Sequence, residues 1–205
     1  MARTAEAAPA PMIIDTHLHL FDPASHPFTA AGYRPLPQEC AGWPYLRDLL
    51  DVHGVRRGVL VAPTVGHDHD LSPLRAKLAA SEGLLVGVTR PRGDEDDAPL
   101  DALARSGVRG VRLDPRQEGI HGLHELTAAH APARWARRGW WVQIQAQENQ
   151  WAQVADTLAA WPVDLVVDHA SLPDPAQGPS AQALLARPVL AQSGAIEANT
   201  GGQSR

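Results

Sequence analysis

The sequence contains only one cysteine, Cys40, and only one lysine, Lys77. A single cysteine cannot form a disulfide within the chain, which excludes the class of small secreted proteins that disulfides hold together. The glycines do not form the G-x-G-x-x-G pattern after any apolar run. A dinucleotide-binding domain of the Rossmann type therefore has no support.

No apolar run is long enough to cross a membrane, and residues 1–11, rich in alanine and proline, lack the apolar centre of a signal peptide. We expect these residues to be a disordered lead-in, and the protein to be cytoplasmic. The 18 basic and 23 acidic residues give a net charge of −5 and form no basic stripe. Electrostatics therefore do not predict a nucleic-acid partner.

Strand-like and helix-like patterns alternate from residue 12 onward. The strand-like segments are short and rich in valine, isoleucine and leucine, which is typical of strands buried on both faces of a parallel sheet. Pro132 should break or kink one of the helices. We predict strands at about 12–16, 58–62, 84–89, 108–113, 140–145 and 163–168, and helices at about 43–53, 70–82, 97–105, 121–138 and 147–160.

Six strand–helix units predict an α/β fold of the (β/α)8, or TIM-barrel, type. Such a barrel typically needs about 250 residues, and only 37 residues follow position 168. We therefore expect an incomplete barrel over residues 12–175, followed by an atypical C-terminal segment, 176–205, with at best one weak strand. A barrel left open would expose two sheet edges, which favours a homo-oligomer.

The first strand leads into Asp15-Thr16-His17-Leu18-His19. Residues two apart on a strand point to the same side, so Asp15, His17 and His19 are expected to share one face. Two imidazoles side by side can bind a divalent metal ion or polarise a carbonyl group together.

Other polar residues also follow the predicted strands, at the rim where barrel enzymes carry their catalytic groups. Arg109 and Arg112 differ in parity and should face opposite sides of their strand. The guanidinium of Arg112 suits a carboxylate of an anionic substrate, and Gln145 is a candidate hydrogen-bond donor to the substrate. The predicted rim consists of His17, His19, Arg112, Asp114, Gln145 and His169.

The remaining histidines carry weaker signals. A GHDHD cluster follows the second strand, but histidines beside a helix start are usually solvated or capping. We interpret these and three later histidines as surface residues: His67, His69, His121, His124 and His130.

Five segments occur in the order found in the amidohydrolase superfamily: IIDTHLHLFDPASHPF, GVRRGVLVAPTVGHDHDLSPL, GVRGVRL, GWWVQIQ and VDLVVDHA. They resemble most closely the branch that contains 2-pyrone-4,6-dicarboxylate lactonase and related "amidohydrolase 2" proteins. The resemblance covers roughly residues 12–175.

This resemblance implies hydrolysis of a lactone or similar carbonyl bond of a small anionic substrate. It implies that His17, His19 and His169 surround the scissile carbonyl group or a bound metal ion, and that Arg112 binds the substrate. It places an aromatic residue of the first long loop, Tyr33, over the substrate. The family also uses an aspartate after strand eight to activate water, and no aspartate follows Asp174.

The resemblance also bears on the number of metal ions. Binuclear members of the superfamily bridge two metals with a lysine on strand four, whereas the only lysine here is predicted on the second helix. We therefore expect either no cofactor or one divalent metal, zinc or manganese, bound by His17, His19 and His169.

Three alternatives stay open. Metal-dependent deoxyribonucleases of the TatD type share the opening motif, but the glutamate context of that family is absent between residues 84 and 101. Metal-dependent decarboxylases of the same superfamily share both the first two histidines and the histidine after strand six. The third alternative is a catalytically inactive, truncated remnant.

Overall fold

The computed structural model describes residues 12–28, 34–63, 70–147, 149–169, 176 and 178, together with the backbone of 196–199. The predicted lead-in and four positions considered above lie outside these residues: Tyr33, His67, His69 and Asp174. Within them, the chain forms seven strands: β1 (Ile13–Leu18), β2 (Val55–Val61), β3 (Leu85–Thr89), β4 (Val108–Leu113), β5 (Trp141–Ile144), β6 (Leu165–Asp168) and β7 (Ile196–Asn199).

Helices connect most of these strands. A short 3-10 helix (Pro37–Glu39) precedes the first α-helix. Each helix that connects two strands returns the chain to the other end of the sheet, so that the next strand can run parallel to the previous one. The described helices are α1 (Trp43–Val52), α2 (Ser72–Ala80), α3 (Asp97–Arg105), α4 (Pro115–Glu118), α5 (His121–Ala128), α6 (Ala131–Ala136) and α7 (Asn149–Ala159).

All seven strands form one parallel sheet in chain order. Both faces of the central strands are buried, as in β4, where only Arg109 is exposed. The alternation of apolar strands and amphipathic helices produces this topology, because parallel neighbours need a crossover helix and that helix covers the sheet. The predicted α/β fold of the barrel type is confirmed.

Two sequence predictions about individual elements agree with the structure in outline and differ in detail. The helix predicted at 121–138 is broken, as Pro132 indicates, into α5 and α6, and the break falls at His130, which adopts a left-handed backbone (φ 54°), while Pro132 lies in the first turn of α6. The one weak strand expected in the C-terminal segment is β7, whose four residues pair with β6 from Leu165 to Asp168. Its sequence, IEAN, is too short and too polar to show a clear strand pattern.

Aliphatic and tryptophan side chains fill the core between the sheet and the helices. Trp135, Trp151 and Leu158 are fully buried there. Among the described residues, no helix is long and apolar enough to cross a membrane.

The first strand forms one edge of the sheet. In the part of the chain that the structure describes, β1 pairs only with β2, and β7 pairs only with β6. Ile13 and Ile14 point to opposite faces of β1, yet each is about half exposed. The structure therefore has two sheet edges, as expected for an incomplete barrel, although the second edge is β7 rather than β6.

Candidate active site

The two histidines of the first motif lie side by side at the carboxyl end of β1. Their Nε2 atoms are 3.3 Å apart, and their rings meet edge to face. The Asp15 carboxylate does not join them, because it accepts a hydrogen bond from the backbone N–H of His17. A register irregularity between Asp15 and Leu18 accompanies this local turn of the strand.

His19 is held as a neutral ring. Its Nδ1 donates a hydrogen bond to the carbonyl oxygen of Val61, at 2.8 Å, so its Nε2 carries a lone pair. Burial lowers the pKa of His19 to about 4. The lone pair of His19 faces His17 Nε2, and that short contact is favourable only with a cation or a hydrogen between the two atoms.

Asp168, at the end of β6, connects the histidine pair to an arginine. Its carboxylate accepts a hydrogen bond from Arg112 Nε at 3.1 Å, and its other oxygen lies 3.5 Å from His17 Nδ1. Asp168 is 0% exposed. Burial alone would raise its pKa, but His17 and the positive charge of Arg112 outweigh this effect and hold the pKa below its ordinary value. Asp168 is therefore an ionised carboxylate that is hydrogen-bonded to Arg112 and lies beside His17.

Arg112 is buried on the inner face of β4 and also donates a hydrogen bond to Gln145 Oε1. Gln145 follows β5 directly, and Gln143, two residues earlier, pairs in register with Arg112. Gln143 is 2% exposed, and its Oε1 has no hydrogen-bond partner among the described residues. The sequence did not single out Gln143, although the Q-I-Q alternation places it on the same face as Gln145.

His169 follows Asp168 and completes the group. Its ring centroid lies 5.7 Å from that of His17. Burial lowers the pKa of His169, which favours a neutral imidazole at pH 7. Its backbone is left-handed, with φ at 51°, a conformation that costs a non-glycine residue energy and is often found at functional sites.

These contacts show that the sheet curls. Neighbouring strands lie about 4.8 Å apart, so β1 and β6 would be roughly 24 Å apart in a flat sheet. The 3.5 Å contact between His17 and Asp168 closes that distance. The carboxyl ends of β1, β4, β5 and β6 therefore converge on one polar centre, as at the rim of a barrel enzyme.

Residues 14–194 match the model of the amidohydrolase family, which is most of the chain. The chain belongs to the amidohydrolase family. The resemblance detected in the sequence motifs is thereby confirmed.

The chain is 30% identical over 167 residues to 2-pyrone-4,6-dicarboxylate hydrolase of Comamonas testosteroni. The match covers 80% of this chain and 53% of that protein, so the chain spans about half the length of this relative.

Two solved structures have the same fold. One is a Pseudomonas putida protein assigned as a 2-pyrone-4,6-dicarboxylic acid hydrolase, with a TM-score of 0.75 and 26% identity over 94% of this chain and 71% of that one. The other is an Acinetobacter baumannii protein assigned to the same activity and crystallised with citric acid. It has a TM-score of 0.79 and 22% identity, and the match covers 93% of this chain and 70% of that one.

The structure brings five of the predicted site residues of this amidohydrolase together: His17, His19, Arg112, Gln145 and His169. Arg109 faces the other way and binds backbone carbonyl oxygens, as the parity argument predicts. Asp114 is buried, but its carboxylate is paired with Arg116 and not with the histidine cluster. The surface positions predicted for the later histidines are confirmed: His121, His124 and His130 are exposed.

The histidine cluster meets some of the requirements of a site for one metal ion. Nδ1 of His19 is bound to a carbonyl oxygen and Nδ1 of His17 faces a carboxylate, which is how histidine ligands are usually supported from behind. The two Nε2 atoms, which lie 3.3 Å apart, are then the ring nitrogens left for a metal ion. Across the described ranges, however, no three histidine, cysteine, aspartate or glutamate side chains converge into a ready metal site. Metal binding by the three histidines stays a prediction.

The strained backbone of His169 yields a stability prediction. We expect His169→Gly to be more stable than His169→Ala by about 1 kcal/mol, because glycine adopts positive φ without steric cost. Urea unfolding of the two variants measures the difference. Glu82, whose φ is also 51°, is the matched control, and Gly should exceed Ala there by a similar amount. Equal stability of the two variants at position 169 would show that its backbone is not strained.

Proposed function

We propose that this protein is a hydrolase that cleaves a lactone or a related carbonyl bond of a small anionic substrate. The observation that carries the proposal is the convergence of His17, His19 and His169 on the buried Arg112–Asp168 pair. The named activity of the Comamonas testosteroni relative supports it, since 2-pyrone-4,6-dicarboxylate combines a lactone ring with two carboxylates.

Arg112 is the proposed group for binding a substrate carboxylate. A guanidinium has five N–H donors, and contacts with Asp168 and Gln145 use two of them. Donors that remain can meet a carboxylate in the fork geometry that arginine favours. Gln145 holds Arg112 through its oxygen, which leaves the amide NH2 group for the substrate. Tyr33 is retained as a proposed cover for the site.

The histidines supply the chemistry in this proposal. Attack of water on the carbonyl carbon places negative charge on the carbonyl oxygen, and a hydrogen donated by an imidazole stabilises that charge. The water must also lose a proton, and we assign that proton to the neutral ring of His169, whose pKa is lowered by burial. When the adduct collapses, the ring C–O bond breaks and the departing ring oxygen takes up the proton that His169 holds.

A zinc or manganese ion, if bound, would be held by His17, His19 and His169 and would polarise the carbonyl group. The cytoplasm, as a reducing compartment, is the proposed location. A homo-oligomer formed through the open sheet edges remains part of the proposal.

Turnover of 2-pyrone-4,6-dicarboxylate by the purified chain tests this function. We expect ring opening, followed as loss of the pyrone absorbance, and a decrease of about 10²–10³-fold in kcat/KM for His17→Gln, because one stabilising donor is lost. An uncharged pyrone should be a poor substrate, since it lacks the carboxylates that Arg112 would bind. Assays with and without a chelator show whether a metal ion contributes.

The matched control is His124→Gln, which removes an exposed histidine from α5 and should leave kcat/KM unchanged. Release of CO2 without ring opening would favour a decarboxylase of the same superfamily. Folded protein that converts the pyrone by neither route would contradict the proposal and support the inactive remnant.

A further inference from the structure

A cavity of about 310 Å³ lies apart from the histidine cluster, between the segment that follows β3, the start of α4 and helix α5. We propose that this cavity binds a small apolar molecule that carries an amine. The proposal does not depend on the hydrolase function, and it rests on the lining of the cavity, on the rigidity of one wall and on the charges at the mouth.

None of the residues that line the cavity belongs to the proposed active site. Leu113 lines the cavity, whereas Arg112, the preceding residue of β4, contacts Asp168 and Gln145. Successive side chains of a strand point to opposite faces. A molecule in this cavity therefore lies on the helix side of β4 and does not extend the substrate site.

The wall formed by the β3–α3 segment is already in place. The Glu95 carboxylate accepts hydrogen bonds from the backbone N–H groups of Arg92 and Gly93, at 2.6 and 2.9 Å. Arg134 of α6 donates to the carbonyl oxygens of Glu95 and Gly93. A ligand would meet a wall that needs no ordering, which lowers the entropic cost of binding.

Gly122 leaves one side of the cavity open. A Cβ atom added at Gly122 would meet nothing within 4 Å, whereas one added at Gly93 would meet the side chain of Leu126. The buried side chains of Leu113, Leu123 and Leu126 provide an apolar lining. The volume lies at the lower end of the range for small-molecule sites, about 300–1,000 Å³. The occupant should therefore have a compact apolar body, such as one aromatic ring.

The charges at the mouth select the polar end of the ligand. Asp94, Glu125 and Arg92 are exposed lining residues, so the lining contains two carboxylates and one guanidinium. Glu125 also pairs with the exposed His121, at 3.3 Å, whereas Asp94 has no ion-pair partner among the described residues. The local excess of negative charge favours a cationic head, the opposite of the anion expected at Arg112.

Isothermal titration of the full chain with 2-phenylethylamine tests the proposal. We expect one equivalent to bind with a Kd of about 1 mM, which is typical of a ligand with about nine non-hydrogen atoms. The neutral isostere 2-phenylethanol should bind more weakly, and the anion 3-phenylpropanoate should bind about tenfold more weakly than the amine. Gly122→Leu, which fills the cavity, should weaken amine binding by about tenfold or more.

Ala128→Leu is the matched control, because it adds the same side chain to an exposed position of α5 outside the cavity. Ala128→Leu should leave amine binding unchanged. Gly122→Leu should unfold at the same or a higher temperature than the parent, because leucine favours a helix more than glycine does. The double variant D94N/E125Q gives a second test that leaves the apolar lining intact, and it should abolish the preference for the amine over the alcohol. Amine binding that survives Gly122→Leu, an anion that binds as tightly as the amine, or no binding at ten times the expected Kd would each overturn the proposal.

Discussion

Replacing Asp168 with asparagine is expected to lower the free energy of unfolding by about 3–5 kcal/mol, because removal of one partner leaves a buried charge without compensation. Arg112 is 5% exposed and Asp168 is 0% exposed, so water cannot replace the lost contact. The same substitution should lower pyrone turnover by about 100-fold or more, since His17 loses the carboxylate that orients its ring. Urea unfolding and steady-state kinetics measure the two effects.

Asp97→Asn is the matched control. Asp97 also pairs with arginines, Arg137 and Arg138, but its side chain is 59% exposed, and surface pairs contribute little to stability. Its loss should leave the unfolding midpoint and the turnover close to those of the parent.

Adding Arg112→Met to Asp168→Asn tests the source of the lost stability. The double variant contains no unpaired buried cation, so part of the lost stability should return. Turnover should stay low, because the double variant lacks both the carboxylate beside His17 and the guanidinium proposed to bind the substrate. A double variant no more stable than Asp168→Asn would show that the unpaired arginine is not the cause of the loss.

The stability of the metal-free protein is expected to fall as the pH is lowered from 6.5 toward 4. The pKa of His19 is about 4 in the folded state and about 6.5 in an unfolded chain. Between these values the unfolded state binds more protons, so acid favours unfolding, and the full interval corresponds to roughly 3 kcal/mol. His169, whose pKa is also lowered, adds a contribution of the same sign.

Urea unfolding between pH 4.5 and 7, in the presence of a chelator, measures this effect. The lower limit of pH 4.5 avoids the contribution of Asp168. The pKa of Asp168 is lowered in the folded state, so its ionised carboxylate stabilises the fold above about pH 3.9, and this stabilisation is lost only in stronger acid. His19→Gln should remove most of the slope, whereas His124→Gln should preserve it. An unchanged slope in His19→Gln would show that His19 is not the buried neutral base described above.

Much of the fold could be predicted from hydrophobic patterns. Two elements, Asp97–Arg105 and Val108–Leu113, have the predicted bounds, because each combines a clear period with a glycine or a cap at its end. The start of β2 was predicted three residues late, since Arg56 and Arg57 are polar and exposed although they lie in the strand. Pairing with β1, which aligns Ile13 with Val55, sets that start, and pairing between distant segments is not visible in local sequence.

The sequence predicts which residues form the site, but not the contacts between them. The alternation of His17 and His19 was enough to place both rings together. Nothing in the sequence around Asp168 identifies its partners, whereas the structure shows that its carboxylate is hydrogen-bonded to Arg112 and lies 3.5 Å from His17 Nδ1. Arg112 and Asp168 are 56 positions apart, so only the curl of the sheet brings them into contact.

The proposed function depends on one centre at which residues from β1, β4, β5 and β6 would meet the substrate. The most direct test is a crystal structure of the His17→Gln variant with the dicarboxylate lactone bound. We expect the lactone carbonyl group beside residue 17, with His169 on the side from which water attacks, and a substrate carboxylate on Arg112. A substrate bound elsewhere, or one whose carboxylates do not contact Arg112, would contradict the proposed function.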